Sequence, residues 1–297
     1  MKSKKIFNNG LKGIALMIAG QLSFAINDSY VKLSVLDLNS NISTFNVIFI
    51  RGVVTSLLIL LYIILVEKKK ITTTLFNKNY HIRGFFEVLT AIFFFAGLIL
   101  MPISTVYTFL MTNPFFVTIF AFIFLKENVG FKRWAAVIVG FVGVIIVVNP
   151  SNMKFGYLFI LPIMAAIFLT IRDIITKGFV NKSNSFEIIF ITSILMTFFS
   201  GLTSLILGFD ITLKQIPYIL ISSFFLIFGY LFSVMTIFYA PLSLTASARY
   251  TVIIFGIIFG YLIIGETPSI NMIIGAVIIS LSGLFVINRQ KKLGKIN

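Results

Sequence analysis

The chain has no cysteine and only one histidine, which removes two common sources of chemistry. Without thiols there is no disulfide framework and no thiolate nucleophile. His81 stands beside Arg83 at the edge of an apolar run, a setting that suits an interfacial residue rather than a base or ligand. Charge is scarce as well: 11% of the 297 residues are Asp, Glu, Lys or Arg, and nine are acidic. Soluble domains carry about 25% charged residues, so most of this surface must face lipid. There is no GxxxxGK(S/T) loop to cradle a nucleotide phosphate, which excludes a self-contained ATPase. No residue set asks for a cofactor or a metal.

What fills the chain instead is apolar: 59% of residues, with a mean hydropathy of +1.06. A hydrocarbon core about 30 Å thick needs roughly 20 apolar residues per helix. Ten such runs are expected, at 12–35, 44–66, 82–101, 105–125, 132–149, 156–178, 186–208, 215–239, 243–264 and 270–288. The expected fold is therefore an all-α membrane protein of ten transmembrane helices joined by short loops.

The net charge of +15 invites a nucleic-acid reading, but its placement argues otherwise. With the N-terminus inside, eighteen of the 24 Lys and Arg fall on the cytoplasmic side, and only Lys154 and Lys214 fall outside. Four more, Lys32, Arg51, Arg172 and Arg249, lie within spans. The positive-inside rule accounts for this bias and makes both termini cytoplasmic. The expected partners are the bilayer and a small-molecule substrate, not nucleic acid, with a monomer or homodimer left open. Ser23-Phe24-Ala25 loosely resembles a signal-peptidase site. The residues just beyond it recur later in the chain, so the first span is expected to be retained.

That recurrence is an internal repeat. Asn27-Asp28 followed by Lys32 matches Arg172-Asp173 followed by Lys177, 145 residues on. Met101-Pro102-Ile103-Ser104 matches Ala240-Pro241-Leu242-Ser243, and Glu127 matches Glu266, both at 139. Three matches in one order predict two five-helix halves, residues 1–150 and 151–297. Five is odd, so the second half enters the membrane in the opposite sense. Inverted repeats of this kind rock between inward-open and outward-open states about a central site.

Pro114-Phe115-Phe116-Val117 through Leu125-Lys126-Glu127, then Trp134 and Gly140-Phe141-Val142-Gly143-Val144, resemble the EamA family of the drug/metabolite transporter superfamily. Gly265-Glu266 with Gly275 and Gly283 resembles the same block in the second half. Asn27-Asp28 with Lys32, and Arg172-Asp173 with Thr176-Lys177, are similar to a branch of S-adenosylmethionine and riboflavin uptake permeases. The resemblance implies ten helices in two inverted repeats, a central cavity, and proton-coupled or exchange transport in the bacterial cytoplasmic (inner) membrane. Arg249 departs from the family pattern, which places an uncharged residue there.

Ionisable groups within spans are costly and usually face a cavity or a partner. Asp28 and Arg51 lie roughly 10 Å inside the outer ends of their spans, and Asp173 and Arg249 roughly 7–10 Å inside the cytoplasmic ends. They are expected as two direct charge pairs, either alternating gates or packing pairs. Glu87, four residues after Arg83, is expected as an interfacial pair with it or as a protonatable coupling group. Lys32 is expected to snorkel, and Glu127 and Glu266 to be solvated or to cap helices. Asn27, Tyr107, Asn113, Arg172, Ser247 and Tyr250 are the candidate substrate-binding residues of a central cavity. Asn113-Pro114 predicts a bend in the fourth span. Gly256 and Gly260 form a GxxxG pattern, expected to pack within the bundle.

These features predict a secondary active permease for a small polar or zwitterionic metabolite. The alternative from another class is an integral-membrane enzyme acting on a lipid-linked substrate. That enzyme needs clustered nucleophiles, bases or metal ligands, in which this chain is poor.

Overall fold

In lipid, every backbone N–H and C=O must find its partner within its own segment, which turns long apolar runs into helices. The computed structural model describes residues 2–36, 43–68, 71–101, 103–126, 130–148, 156–209 and 211–292, and every regular element among them is helical. Seven helices are long and apolar enough to cross a membrane. Three shorter apolar helices, Val137–Ile146, Ala248–Ile264 and Ile270–Ser282, fall on the fifth, ninth and tenth expected spans. Large apolar side chains such as Leu65, Leu205, Ile206 and Leu262 are more than half exposed on the outside, as a lipid-facing surface requires.

The continuous helices are α1 (Lys2–Leu36), α2 (Ser43–Leu65), α4 (Lys78–Leu100), α7 (Phe131–Val148), α8 (Ile160–Phe179), α9 (Ser185–Leu207), α10 (Ile216–Tyr239) and α13 (Ile270–Lys292), with a single turn, α3 (Thr72–Leu75), before α4. Two expected spans are broken instead. The fourth divides into α5 (Ile103–Leu110) and α6 (Asn113–Phe124). The ninth runs as α11 (Leu242–Thr245), a 3-10 stretch Ala246–Tyr250, α12 (Thr251–Phe259) and a π-helical turn Gly260–Ile264. The bend expected at Asn113-Pro114 lies slightly upstream, at Met111 and Thr112. Pro114 sits in the first turn of α6, where its missing N–H costs nothing.

Both broken segments follow the same local backbone. Met101 (φ −139°, ψ 157°) and Ala240 (φ −137°, ψ 155°) close α4 and α10 in extended conformation, as the residue before a proline prefers. Positive φ recurs in parallel too, at Lys126 (51°) and Gly265 (82°) after the broken segments, and at Lys68 (52°) and Gly208 (103°) after α2 and α9.

The most extensive packing joins α1 to α10, α2 to α9, α4 to α8 and α7 to α13. Every one of these pairs couples an early helix to a late one, so neither half of the chain is a separate body. Small residues permit the close approaches. Gly13 of α1 lies against Ala240, and its carbonyl accepts from the Thr236 hydroxyl. Gly256 of α12 seats the ring of Tyr107 from α5. The GxxxG pattern thus serves packing inside this chain, as expected.

Two lysines mark opposite ends of the bundle. Lys32 Nζ donates to the Met101 carbonyl at 3.3 Å and pairs with Glu266 Oε1 at 2.7 Å. Lys177 Nζ donates to the carbonyls of Ile237 (2.8 Å) and Ala240 (3.1 Å). Gly97, near the end of α4, neighbours Pro162, near the start of α8. The two helices are therefore antiparallel, and their C-terminal ends point apart. Lys32 was expected to snorkel and Glu266 to be solvated or to cap. They instead pair with each other, because the segment after α12 returns over the end of α1.

Candidate functional site

Helices α1, α2, α4, α8 and α10 and the two broken segments surround a central cavity of ≈ 110 Å³. Asn27, Asp28, Arg51 and Tyr107 form one charged part of its wall, and Glu87, Arg172 and Arg249 form another. Phe24, Phe94, Phe95 and Met111 also line it.

In the first cluster, α1 presents Asn27 and Asp28, α2 presents Arg51 and α5 presents Tyr107. Arg51 Nη1 donates to Asn27 Oδ1 at 3.0 Å, and Asn27 Nδ2 donates to Asp28 Oδ1 at 2.7 Å. The Tyr107 hydroxyl donates to Asp28 Oδ2 at 2.7 Å. The Arg51 guanidinium also lies 5.3 Å from the centre of the Phe95 ring. The expected direct Asp28–Arg51 pair is therefore not present. The Asn27 amide stands between the charges and serves both.

The second cluster is a chain of ion pairs. Arg172 Nη1 meets Glu87 Oε2 at 2.5 Å, and its Nε and Nη2 donate to Asp173 Oδ1 at 2.9 and 2.6 Å. Arg249 Nη2 donates to Asp173 Oδ2. Arg83 Nη2 lies 3.7 Å from Glu87 Oε2, and its Nη1 donates to the Thr192 hydroxyl. The Asp173–Arg249 pair is as expected. Glu87 and Arg83 are not interfacial: they are 6% and 1% exposed. Helix α4 begins at Lys78, earlier than the expected span, which draws Arg83 down into the bundle. Buried charges are tolerable only when paired; each charge of this network is paired, while the Nε atoms of Arg83 and Arg249 have no partner.

Of the remaining candidates, Asn113 lines the cavity and donates to Thr170 Oγ1 (2.8 Å) and the Ala166 carbonyl (3.2 Å). Tyr250 does not line it. Its hydroxyl points instead toward Gly140 of α7. The side chain of Ser247 lies outside the described residues, as does Glu127. Sequence reasoning missed Gln21, Thr90, Tyr230 and Ser233, which all line the cavity. A signal existed for the last two, since Tyr230 and Ser233 are three apart on α10 and share a face. Among the described residues, no group of three His, Cys, Asp or Glu could hold a metal ion.

An apolar exterior around a central cavity lined by charged and aromatic side chains defines a membrane protein built to hold a small polar solute. The model of the EamA-like transporter family matches the chain twice, over residues 11–149 and 154–289. The chain belongs to that family and is an integral membrane transporter of small metabolites. It is similar to the S-adenosylmethionine uptake transporter of Rickettsia felis, at 28% identity over 95% of this chain and 94% of the relative. The corresponding protein of Rickettsia bellii is 29% identical over 96% and 98%. A riboflavin transporter of Rhizobium johnstonii is 29% identical over 66% of each chain. These relatives are named as transporters, which sets aside the lipid-linked enzyme reading. One solved structure, described only as a crystal structure of a protein, resembles the chain in fold. Its TM-score is 0.66 at 13% identity, covering 93% of this chain and 98% of that one.

Proposed function

We propose that this chain is a secondary active permease that moves a small polar or zwitterionic metabolite across the bacterial cytoplasmic membrane by alternating access. The observation that carries this reading is the central cavity, walled by helices from both halves of the chain and holding buried charge of both signs. Its architecture is ten crossings in two inverted five-helix repeats, residues 1–150 and 151–297, with both termini cytoplasmic.

The helix pairing supports that architecture. Under the repeat, α1 corresponds to α8 and α4 to α10, so the α1–α10 contact exchanges with the α8–α4 contact. The α2–α9 and α7–α13 contacts each map onto themselves. This is the pattern a two-fold relation produces, and the double family match, the paired Met101 and Ala240 backbones and the paired lysine contacts agree with it.

Glu87–Arg172–Asp173–Arg249 ties α4 and α8 to the ninth segment at one level, and Lys32–Glu266 ties α1 to the end of that segment. Ion pairs shielded from water are strong, and water entry weakens them. Such ties suit alternating gates. The substrate class is that of the full-length relatives, S-adenosylmethionine or a compound like it, with coupling to protons or to exchange. Phe24, Phe94, Phe95 and Tyr230 suit the flat, partly aromatic body of such a molecule.

Reconstituted full-length protein is expected to show counterflow: liposomes preloaded with unlabelled S-adenosylmethionine accumulate the labelled compound faster than empty ones. Absence of counterflow for S-adenosylmethionine, amino acids and riboflavin alike would sink the permease reading.

A further inference from the structure

The two charge clusters differ in how their guanidinium groups are satisfied. Arg83, Arg172 and Arg249 each lie within 4 Å of a carboxylate. Arg51 does not. It is 3% exposed and gives one hydrogen bond, to Asn27; its Nε, like those of Arg83 and Arg249, has no partner, but it alone of the four has no carboxylate within reach. A guanidinium carries five N–H donors in a rigid fork, so most of this one's capacity is unspent. A buried charge without its counter-ion is costly, and here it lines a cavity rather than a packed core.

Asp28 is complementary. Each of its oxygens accepts one hydrogen bond, from Asn27 and from Tyr107, and a carboxylate has about four lone-pair sites. Arg51 and Asp28 thus each keep free capacity, one amide apart, on the same wall. A guanidinium fork beside a carboxylate is the complement of a carboxylate beside an ammonium, which is the α-amino-acid group.

The rest of the cavity gives direction. Carried forward by 139 residues, Glu87 falls on Leu226, Asn113 on Val252 and Leu110 on Arg249, and all six line the cavity. Positions related by the repeat differ in polarity, so a solute with unlike ends has one preferred orientation.

We propose that Arg51 and Asp28 bind the α-amino-acid end of the transported solute. Arg51 takes the carboxylate through its fork, Asp28 takes the ammonium, and Asn27 sets their spacing. The aromatic side chains receive the rest of the molecule. This assignment rests on the permease reading above and narrows it, because riboflavin has no such group.

The test uses full-length protein in proteoliposomes, with labelled S-adenosylmethionine counterflow competed by three compounds. These are unlabelled S-adenosylmethionine, its decarboxylated form, and methylthioadenosine, which lacks the whole amino-acid end. Loss of the carboxylate is expected to weaken competition at least about tenfold in the native protein, as charge-assisted hydrogen bonds imply. In Arg51→Gln, the parent compound should fall to the level of its decarboxylated form. Arg51→Lys, which keeps charge without the fork, should be intermediate.

Equal competition by the parent and the decarboxylated compound in the native protein overturns the assignment, and that comparison needs no variant to fold. So does a carboxylate effect of the same size in Arg51→Gln. Exchange of riboflavin with no exchange of any α-amino-acid solute overturns the assignment and leaves the permease reading standing. Exchange of no solute at all overturns both.

Discussion

Arg51 and Asp28 are held one amide apart by Asn27, which accepts from the first at 3.0 Å and donates to the second at 2.7 Å. Asn27→Leu keeps similar volume but removes both hydrogen bonds. Each buried polar partner left unsatisfied costs about 1–3 kcal/mol, so a loss of about 2–6 kcal/mol is expected for the two. A change of that size lowers the melting temperature of detergent-solubilised protein by several degrees. An unchanged melting curve would show that the amide bears neither charge.

Arg172 joins two buried carboxylates, Glu87 and Asp173. Removing it leaves both without that partner, and breaking a buried ion pair costs about 3–5 kcal/mol. The double variant Arg172→Gln with Glu87→Gln removes one of those carboxylates as well. Its cost should fall at least about 1 kcal/mol short of the sum of the two single variants, the coupling expected of residues in contact. Additive melting shifts would mean that Glu87 and Arg172 do not pair in solution.

These residues also show what the sequence could reveal. Asp28, Arg51, Asp173 and Arg249 stood out because a charge within an apolar run has few explanations. Their partners were harder to read. Asn27 was assigned to the binding wall, but its place between two charges depends on how α2 packs on α1. Glu87 and Arg83 were misplaced because the limit of an apolar run is not the limit of a helix, and α4 starts at Lys78. Gln21 and Thr90 were missed because an uncharged polar residue in an apolar run does not say whether it faces a cavity, a neighbour or its own backbone. The proposed repeat rests on spacing alone in the sequence, whereas the pairing of α1 with α10 and of α4 with α8 required the structure.

Gly256 holds the Tyr107 ring in place, and a Cβ there would lie 2.9 Å from Tyr107 Cε2. Gly256→Ala must push the ring aside and with it the hydroxyl that donates to Asp28. Overpacking of this kind costs about 1–3 kcal/mol. The variant should melt earlier and lose counterflow. Adding Tyr107→Leu, with its smaller side chain, should restore melting but not counterflow. Full activity of Gly256→Ala would separate Tyr107 from the binding wall.

Lys126 holds φ at 51°, and its counterpart under the proposed repeat, Gly265, holds 82°. Left-handed backbone costs a residue with a Cβ about 1–2 kcal/mol, partly offset by the entropy glycine loses on folding. Lys126→Gly should therefore stabilise the protein by about 0.5–1 kcal/mol. Lys126→Ala removes the same charge but keeps the Cβ, and should give no such gain. Equal melting temperatures for the two variants would place the effect in the charge rather than the backbone.

The absence of cysteine makes the native chain free of thiol background, so single substitutions can report its topology. Lys78, Lys182 and Lys214 are exposed at helix ends. Four proposed crossings separate Lys78 from Lys182, and one, α9, separates Lys182 from Lys214. An even number returns the chain to the same side and an odd number does not. With an impermeant maleimide on intact cells, Lys214→Cys should be labelled, while Lys78→Cys and Lys182→Cys should react only after permeabilisation. Labelling of Lys182→Cys and Lys214→Cys from one side would mean that α9 does not cross. Labelling of Lys78→Cys and Lys182→Cys from opposite sides would remove a crossing among α4, the broken fourth segment, α7 and α8. The second half would then no longer enter the membrane opposite to the first, and the inverted repeat would fail with it.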